Sequence, residues 1–585
     1  MKLTHEQQAI IRSQGNIKIN AVAGSGKTTT LIEYARSRPR GSRILYLAFN
    51  RTVRTEASKK FSELGLDNVR VETAHSLAYK SIVFQHRYKV RNQGYNTFQI
   101  AQILGLQARG EKHIEYIVAN HINKFISYFC NSDHKKVKDL QYLDIVSDPQ
   151  AKTFVKRFYK IIENQTRRFL AKMDRNEIEI THDFYLKKFQ LSAPVLPYDY
   201  ILFDEAQDAS GAMLDIILRQ PATKVIVGDS HQQIYGWRFA VNSLDKVPFD
   251  TYHLTHSFRF GSGTARLATE ILKWKAYLDL PAKIKIRGKG KFKEKKSEAV
   301  IGRTNLGLLM KAIDFLTGDQ KVKKIHFEGN INSYTYAGDG ASLYDVLNLY
   351  NLKKEYIRND LIKAMTSFSE LEEYVEKTED MELDLLIKII REYGSQITDL
   401  IQTLKEKHTE EKEEADLIFT TVHRSKGMEY DVVHLVDDFI DDKKIFQQKE
   451  EIKKGEVSTA ALNEEINLLY VAITRSKNLL YIPENLLPEG FSLTKNIRSV
   501  TTEKEEPKPS SFYSKKSQSK RNKNPKKKRK SSPSAYQPWT SELDDELRQM
   551  FDAGTEVEVL AAYFGRTPSA IRFRLRKLGL FEYFP

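Results

Sequence analysis

The sequence predicts an α/β fold built on parallel sheet. Three observations carry this. Short apolar runs at 17–19, 44–49, 200–203 and 224–227 have strand length and alternate with longer helical patterns. The first run passes through a Gly-rich turn directly into a helical pattern at 29–37. Later runs end on polar or acidic residues, at the carboxyl ends where ligands gather in an open α/β sheet.

The Gly-rich turn is Ala21-Val22-Ala23-Gly24-Ser25-Gly26-Lys27-Thr28. Strand, small-residue loop, Lys-Thr and helix together make the context of a phosphate-binding loop. Small residues let backbone N–H groups of Ala23, Gly24, Ser25 and Gly26 curl around phosphate oxygens, and the helix N-terminus adds a positive dipole end. Lys27 is placed for the β- and γ-phosphates of ATP, and the Thr28 hydroxyl for Mg²⁺. Ala21 stands where such loops usually have their first Gly.

The other runs add candidates in order. Upstream of the first strand, Leu3-Thr4-His5-Glu6-Gln7-Gln8 offers a Gln amide able to read an adenine edge, although on the segment alone a solvated helix face is the better reading. The second and third strand ends carry Phe49, Asn50, Thr73 and His75, each also explicable as turn chemistry. Residues 81–190 read as a helical insertion rich in Lys, His, Tyr and Phe, either a basic ligand face or a solvated one. The run at 200–203 leads into Asp204-Glu205-Ala206-Gln207-Asp208. Acids at the exit of an apolar strand are costly unless paired or metal-bound. Asp204 is the natural Mg²⁺ partner and Glu205 the group to activate water. The run at 224–227 leads into Gly228-Asp229-Ser230-His231-Gln232-Gln233-Ile234-Tyr235-Gly236-Trp237-Arg238, whose aromatics suit base stacking or core packing.

At 585 residues the chain should hold several domains, and a formal net charge of +17 favours a polyanionic partner such as nucleic acid. The single cysteine, Cys130, excludes an intrachain disulfide and a Cys-based zinc site. The first ten residues lack an apolar signal region, and no apolar run is long enough to span a bilayer. A soluble intracellular protein with no membrane partner is expected.

With these motifs in this order, the chain resembles a UvrD/Rep-like helicase of superfamily 1A, over roughly residues 3–485, and is nearest in style to the helicase core of F-box DNA helicases without their F-box. The resemblance implies two RecA-like P-loop lobes and an ATP- and Mg²⁺-dependent motor moving 3′ to 5′ on single-stranded DNA. It assigns Gln7 to adenine, Gln232 to γ-phosphate sensing, and Tyr235 and Trp237, with Arg238 beside them, to DNA. Leu254-Thr255-His256-Ser257-Phe258-Arg259 matches the next motif, with Phe258 stacking on adenine and Arg259 as an arginine finger. Ile301-Gly302-Arg303-Thr304-Asn305 resembles a strand end of the second lobe. In Thr421-Val422-His423-Arg424-Ser425-Lys426-Gly427-Met428-Glu429, Glu429 matches the ribose-binding acid and Thr421 and His423 match DNA contacts. In Glu464-Glu465-Ile466-Asn467-Leu468-Leu469-Tyr470-Val471-Ala472-Ile473-Thr474-Arg475, Arg475 matches the second finger. Thr29 stands beside the adenine position where many relatives have Arg, Ser257 and Phe260-Gly261 replace commoner residues, and the stretch between Asn305 and Thr421 is short.

The implied organisation is a first lobe from 1–80 and 191–250 with a helical insertion at 81–190, and a second lobe from 251–330 and 411–500 with a small helical insertion at 331–410. A basic, disordered linker follows at 501–535; within it, 515–530 holds ten Lys or Arg and no acid, a tether for phosphates or a nuclear-localisation cluster. Residues 536–585 regain a folded pattern that resembles a Myb/SANT-like helix-turn-helix, with Arg572 and Arg576 pointing outward to DNA and Ile571, Leu575 and Leu578 inward. A small bundle docking a protein partner is the other reading of this module. Expected partners are single-stranded DNA and duplex junctions, for a monomeric motor working in repair, recombination or defence. A motor that strips proteins from DNA without unwinding is the competing function, and a non-enzymatic DNA-docking protein the third. The expected location is the cytoplasm, on the nucleoid, in a prokaryote and the nucleus in a eukaryote.

Overall fold

The structure is a computed structural model. It describes residues 3–107, 113–146, 148–282, 285–291, 297–317, 322–334, 342–378, 380–453, 457–501, 541–552, 555–566, 571–572, 574–575, 578 and 580. The chain falls into two compact units; the first comprises Met1–Arg303, Glu373–Asp380 and Thr420–Val500, and the second holds the remaining described residues.

The first unit contains a six-stranded sheet in the order Val69–Thr73, Ile44–Ala48, Tyr200–Phe203, Thr223–Gly228, Ile17–Ala21, Asp250–Leu254. Every pairing is parallel. Ile44–Ala48 is buried at all five positions, as expected of a strand in a sheet covered on both faces. Ile19, Leu31, Tyr46, Phe61, Leu202 and Val225 meet in one core cluster. The order has a direct consequence for function. Tyr200–Phe203, Thr223–Gly228 and Ile17–Ala21 are neighbours, so their carboxyl ends deliver Asp204, Asp229 and the Gly-rich turn side by side. The sheet runs on to Leu254, because Asp250–Leu254 pairs residue for residue with Ile17–Ala21.

Between Thr73 and Tyr200 the chain is largely helical. Ile114–Asn131 packs against both Thr97–Leu104 and Pro149–Asp174. Asp148 caps the latter helix, accepting from Gln150 N and Ala151 N at 2.8 Å each, with Pro149 at the first helical position, where its missing N–H costs nothing. Cys130 is fully buried in this region. The first unit also contains parallel neighbours Glu298–Gly302, Tyr430–Leu435, Ser476–Pro483 and Ile497–Val500, in that order.

In the second unit Ile325–Phe327 pairs in parallel with Leu417–Thr421, and Leu343–Tyr350 packs on Met381–Tyr393. Near the C-terminus, Ser541–Asp552 and Val557–Phe564 enclose a small core of Leu547, Leu560, Phe564, Ile571 and Leu575. Leu578 packs against it. The basic linker from 502 onward and Arg576 lie outside the described residues. Among the described residues no helix is long and apolar enough to cross a membrane.

Candidate nucleotide site and nucleic-acid groove

The Gly-rich turn joins Ile17–Ala21 to the helix Lys27–Arg36. Gly24 and Gly26 have φ of 70° and 81°, a left-handed region that costs other residues energy. A Cβ on Gly24 would lie 2.6 Å from Arg259 Cβ, so only glycine lets the turn approach the segment Ser257–Arg259. Phe258 N donates to Gly24 O at 2.8 Å, which fixes that approach. The Ser25 hydroxyl is buried and has no hydrogen-bond partner among the described residues.

Glu205 Oε1 lies 2.8 Å from Lys27 Nζ. Glu205 also has a left-handed backbone, φ 52°, a strain of the kind tolerated at functional sites. Burial pushes its pKa up, but the cations of Lys27 and Lys426 outweigh burial and hold it below the usual carboxylate range. Asp204 goes the other way: burial raises it, and the charge of Glu205 adds to the rise. A proton taken up by the pair therefore goes first to Asp204. Asp204 accepts from Tyr46 Oη and, at 2.9 Å, from Glu205 N. Burial opposes the charge of Lys27, yet Glu205, Asp204 and Asp229 together raise its pKa.

Cations converge on the same place. Arg475 is buried, and its hydrogen bonds go to Val471 O, Met428 O, Gln232 Oε1 and Thr474 Oγ1, all neutral oxygens. Burial, with Arg259 adding, pushes its pKa down to about 9, so it remains charged at neutral pH. A buried cation whose partners are all neutral calls for an anion. Arg259 Nε lies 2.9 Å from Glu429 Oε2, so the structure pairs the expected first finger with the expected ribose acid. Gln232 Nε2 donates to Asp229 Oδ2 at 2.7 Å, and Tyr470 Oη bridges Asp229 Oδ2 at 3.0 Å and Ala23 N at 3.3 Å.

A nucleoside triphosphate and Mg²⁺ fit these residues. The turn offers backbone donors, the unpartnered Ser25 hydroxyl and Lys27, and Arg475 adds a second cation. Thr28 and Asp204 both reach the Tyr46 hydroxyl. No cluster of three or more His, Cys, Asp or Glu suited to a metal occurs among the described residues. An ion held by one hydroxyl and one carboxylate completes its shell with phosphate and water oxygens, which suits Mg²⁺. Gln7 touches the turn as well, but its amide is engaged at both ends: Oε1 accepts from Thr4 N at 3.0 Å and Nε2 donates to Thr30 Oγ1 at 3.2 Å. Thr29 is half-buried on the helix, and Phe258 is 40 % exposed.

Beside the triphosphate residues lies a groove of about 660 Å³. Phe49, Asn50, His75, Tyr235, Trp237 and Arg238 all line it, together with Asn123 and Lys124 of the helical insertion. Tyr235 stacks on Phe49 with ring centroids 5.6 Å apart, and Lys426 lies over its ring at 5.0 Å. Trp237 is 60 % exposed, with Arg238 over its ring at 4.6 Å. His423 Nε2 donates to Ile234 O at 3.0 Å, and Tyr235 Oη donates to His423 O at 3.1 Å. Thr73 and Thr421 instead cap helices, accepting from Ser76 N and Arg424 N. Asn50 does both, lining the groove and accepting from Val53 N. In the second unit, Arg572 pairs with Glu558 at 2.6 Å.

Sequence reasoning assigned no role to Tyr46, Gln207, Asp229, Lys426 or Tyr470. Gln207 Nε2 donates to Glu205 Oε2 at 2.6 Å, and its Oε1 accepts from Asp229 N at 3.0 Å, joining two strand ends. Lys426 Nζ donates to Asp208 Oδ2 and to Gln232 O. Four of the five sit inside the motif segments: Gln207 and Asp229 follow strand ends, Lys426 ends the short helix Val422–Ser425, and Tyr470 lies within the helix Thr459–Ile473.

Residues 3–245 match the family model described as the UvrD/REP helicase N-terminal domain. The chain carries a UvrD/REP helicase domain. An F-box DNA helicase 1 of Gallus gallus is 30% identical over 83% of this chain and 49% of its own length. An F-box DNA helicase protein 1 of Schizosaccharomyces pombe is 30% identical over 83% of this chain and 58% of its length. A probable DNA helicase of Mycoplasma pneumoniae is 23% identical over 82% of this chain and 83% of its length. The chain thus spans about half the length of the F-box relatives. The Gly-rich turn, Asp204, Glu205 and the loop through Trp237 all fall within the matched UvrD/REP domain.

Proposed function

We propose that this chain is an ATP- and Mg²⁺-dependent DNA helicase that moves 3′ to 5′ along single-stranded DNA. One observation carries the reading. A single loop leaves the triphosphate site at Asp229 and Gln232 and enters the groove at Tyr235 and Trp237. Nucleotide chemistry and base stacking therefore share a mechanical part.

The residues take roles that follow from their geometry. Mg²⁺ bound at Thr28 and Asp204 would offset phosphate charge. Phosphate oxygens compete with Glu205 for the Lys27 ammonium. A Glu205 released from that pair is a stronger base and takes the proton of the attacking water. Arg475 and Arg259 neutralise charge that develops on the transferred phosphoryl group, an effect on the order of 10³–10⁵ in rate for arginine fingers. Trp237 and Tyr235 accept any base, because every base has a stacking face. The organisation into two RecA-like lobes with insertions, a basic linker and a C-terminal helix-turn-helix is part of this proposal. So is work in repair, recombination or defence on junctions that carry a duplex arm.

The test is ATP hydrolysis with single-stranded DNA, duplex DNA or RNA, followed by unwinding of 3′- and 5′-tailed duplexes. Stimulation by single-stranded DNA and unwinding of the 3′-tailed duplex alone are expected. Preference for the 5′ tail would overturn the polarity. Stimulation without unwinding would favour a motor that displaces bound proteins.

A further inference from the structure

Helix Thr459–Ile473 carries more than its place before Arg475 suggests. Gly236 N donates to Glu464 Oε1 at 3.2 Å. Asn467 Nδ2 donates to Gln233 O at 2.8 Å. Tyr470 Oη donates to Asp229 Oδ2 at 3.0 Å and receives Ala23 N at 3.3 Å. Residues 464, 467 and 470 are three apart, so they form one stripe and climb about 4.5 Å per step. The loop from Asp229 to Gly236 is laid along that stripe in the opposite direction.

The stripe is fixed from behind. Lys275 Nζ, buried, donates to Asn467 Oδ1 at 2.6 Å and to His231 Nδ1 at 3.0 Å. At the far end of the stripe, Gly236 lies directly against the Glu464 carboxylate, where a Cβ would come within 2.3 Å of Oε2. Glu465, the next residue, forms an ion pair with Arg303 at 2.5 Å and so holds the same end of the helix. A stiff helix tied at both ends to one loop moves that loop as a unit, in the way rigid elements carry coupling between sites.

We propose that Glu464 is a positioning residue for the known motifs: it clamps the Gly236–Trp237 turn to the helix, so that a shift at Tyr470 beside the phosphate-binding turn reaches the base-stacking aromatic. This rests on the reading of the chain as a DNA-stimulated ATPase. Glu464 is expected to touch neither nucleotide nor DNA.

The experiment uses the full chain with Glu464→Ala and Glu464→Gln, and reads ATP turnover with and without saturating oligo-dT. In Glu464→Ala, basal turnover stays within about twofold, while DNA stimulation falls about tenfold, the scale of one lost hydrogen bond in a transition-state step. Glu464→Gln keeps an acceptor oxygen and restores most of the stimulation. A merely structural role would lower thermal stability without changing the ratio of stimulated to basal turnover. An unchanged ratio in Glu464→Ala, with the wild-type chain stimulated normally, overturns the clamp alone. A wild-type chain with no stimulation overturns the motor reading and the clamp with it.

Discussion

Lys27 and Glu205 form an ion pair of 2.8 Å at the mouth of the phosphate-binding turn. The pair joins the ends of two strands that flank Thr223–Gly228. On the proposed function, Lys27→Ala removes the cation for phosphate and should abolish turnover. Glu205→Gln keeps the shape but takes no proton. It should bind nucleotide normally and lose about 10²–10⁴ in kcat, as general-base removal does. Nucleotide affinity by fluorescence titration, beside steady-state turnover, checks both.

Trp237 is presented to the groove by a loop that starts at Asp229 and Gln232. Trp237→Ala should weaken single-stranded DNA binding by about 1–3 kcal/mol, the cost of one lost stacking platform. Its salt slope should match wild type, because stacking releases no counterions. Anisotropy titrations at several salt concentrations measure both quantities. A lowered slope would make the residue a support for phosphate contacts instead.

Two imidazoles near the loop are held neutral. Burial, with Arg303 adding, pushes His423 down to about 4, and burial with Lys275 pushes His231 down to about 3. In the unfolded chain each takes a proton near about 6.5. Between those values the unfolded state binds more protons, so stability is lost as pH falls below about 6.5. Tm should decline from pH 7 to 4.5, and His423→Asn should flatten that decline. A pH-independent Tm in this window would mean that the rings are not protected from protons.

The C-terminal module gives a separable prediction. Arg572 is neutralised by Glu558, so duplex binding through this arginine must first break a 2.6 Å ion pair. Glu558→Gln should raise affinity for a duplex arm at moderate salt, and Arg572→Ala should lower it. Equal affinity in both variants would favour a protein-docking module.

Much of the site was legible before folding because its signals are local. The Gly-rich turn, Asp204 and Glu205 each sit at the end of an apolar run, where strand and turn chemistry act within a few residues. The partners that tune them were not. Tyr470 meets Ala23 across 447 positions, and Lys426 meets Asp208 across 218. Such contacts depend on sheet order, which no local pattern encodes. Gln7 illustrates a different limit. Its assignment came from the resemblance alone, but its amide closes a helix cap with Thr4, a competing hydrogen bond that a motif match cannot weigh.

Cys130 is the only thiol of the chain, and it is fully buried, with a pKa that burial pushes far up. It should ignore maleimide reagents at neutral pH, because they need an exposed thiolate. This chain is therefore already a background for dye chemistry. One cysteine introduced on an exposed face of the Trp237 loop and another on the helical insertion would take a fluorophore pair without removing Cys130. Energy transfer between them would follow the groove during ATP turnover, one molecule at a time.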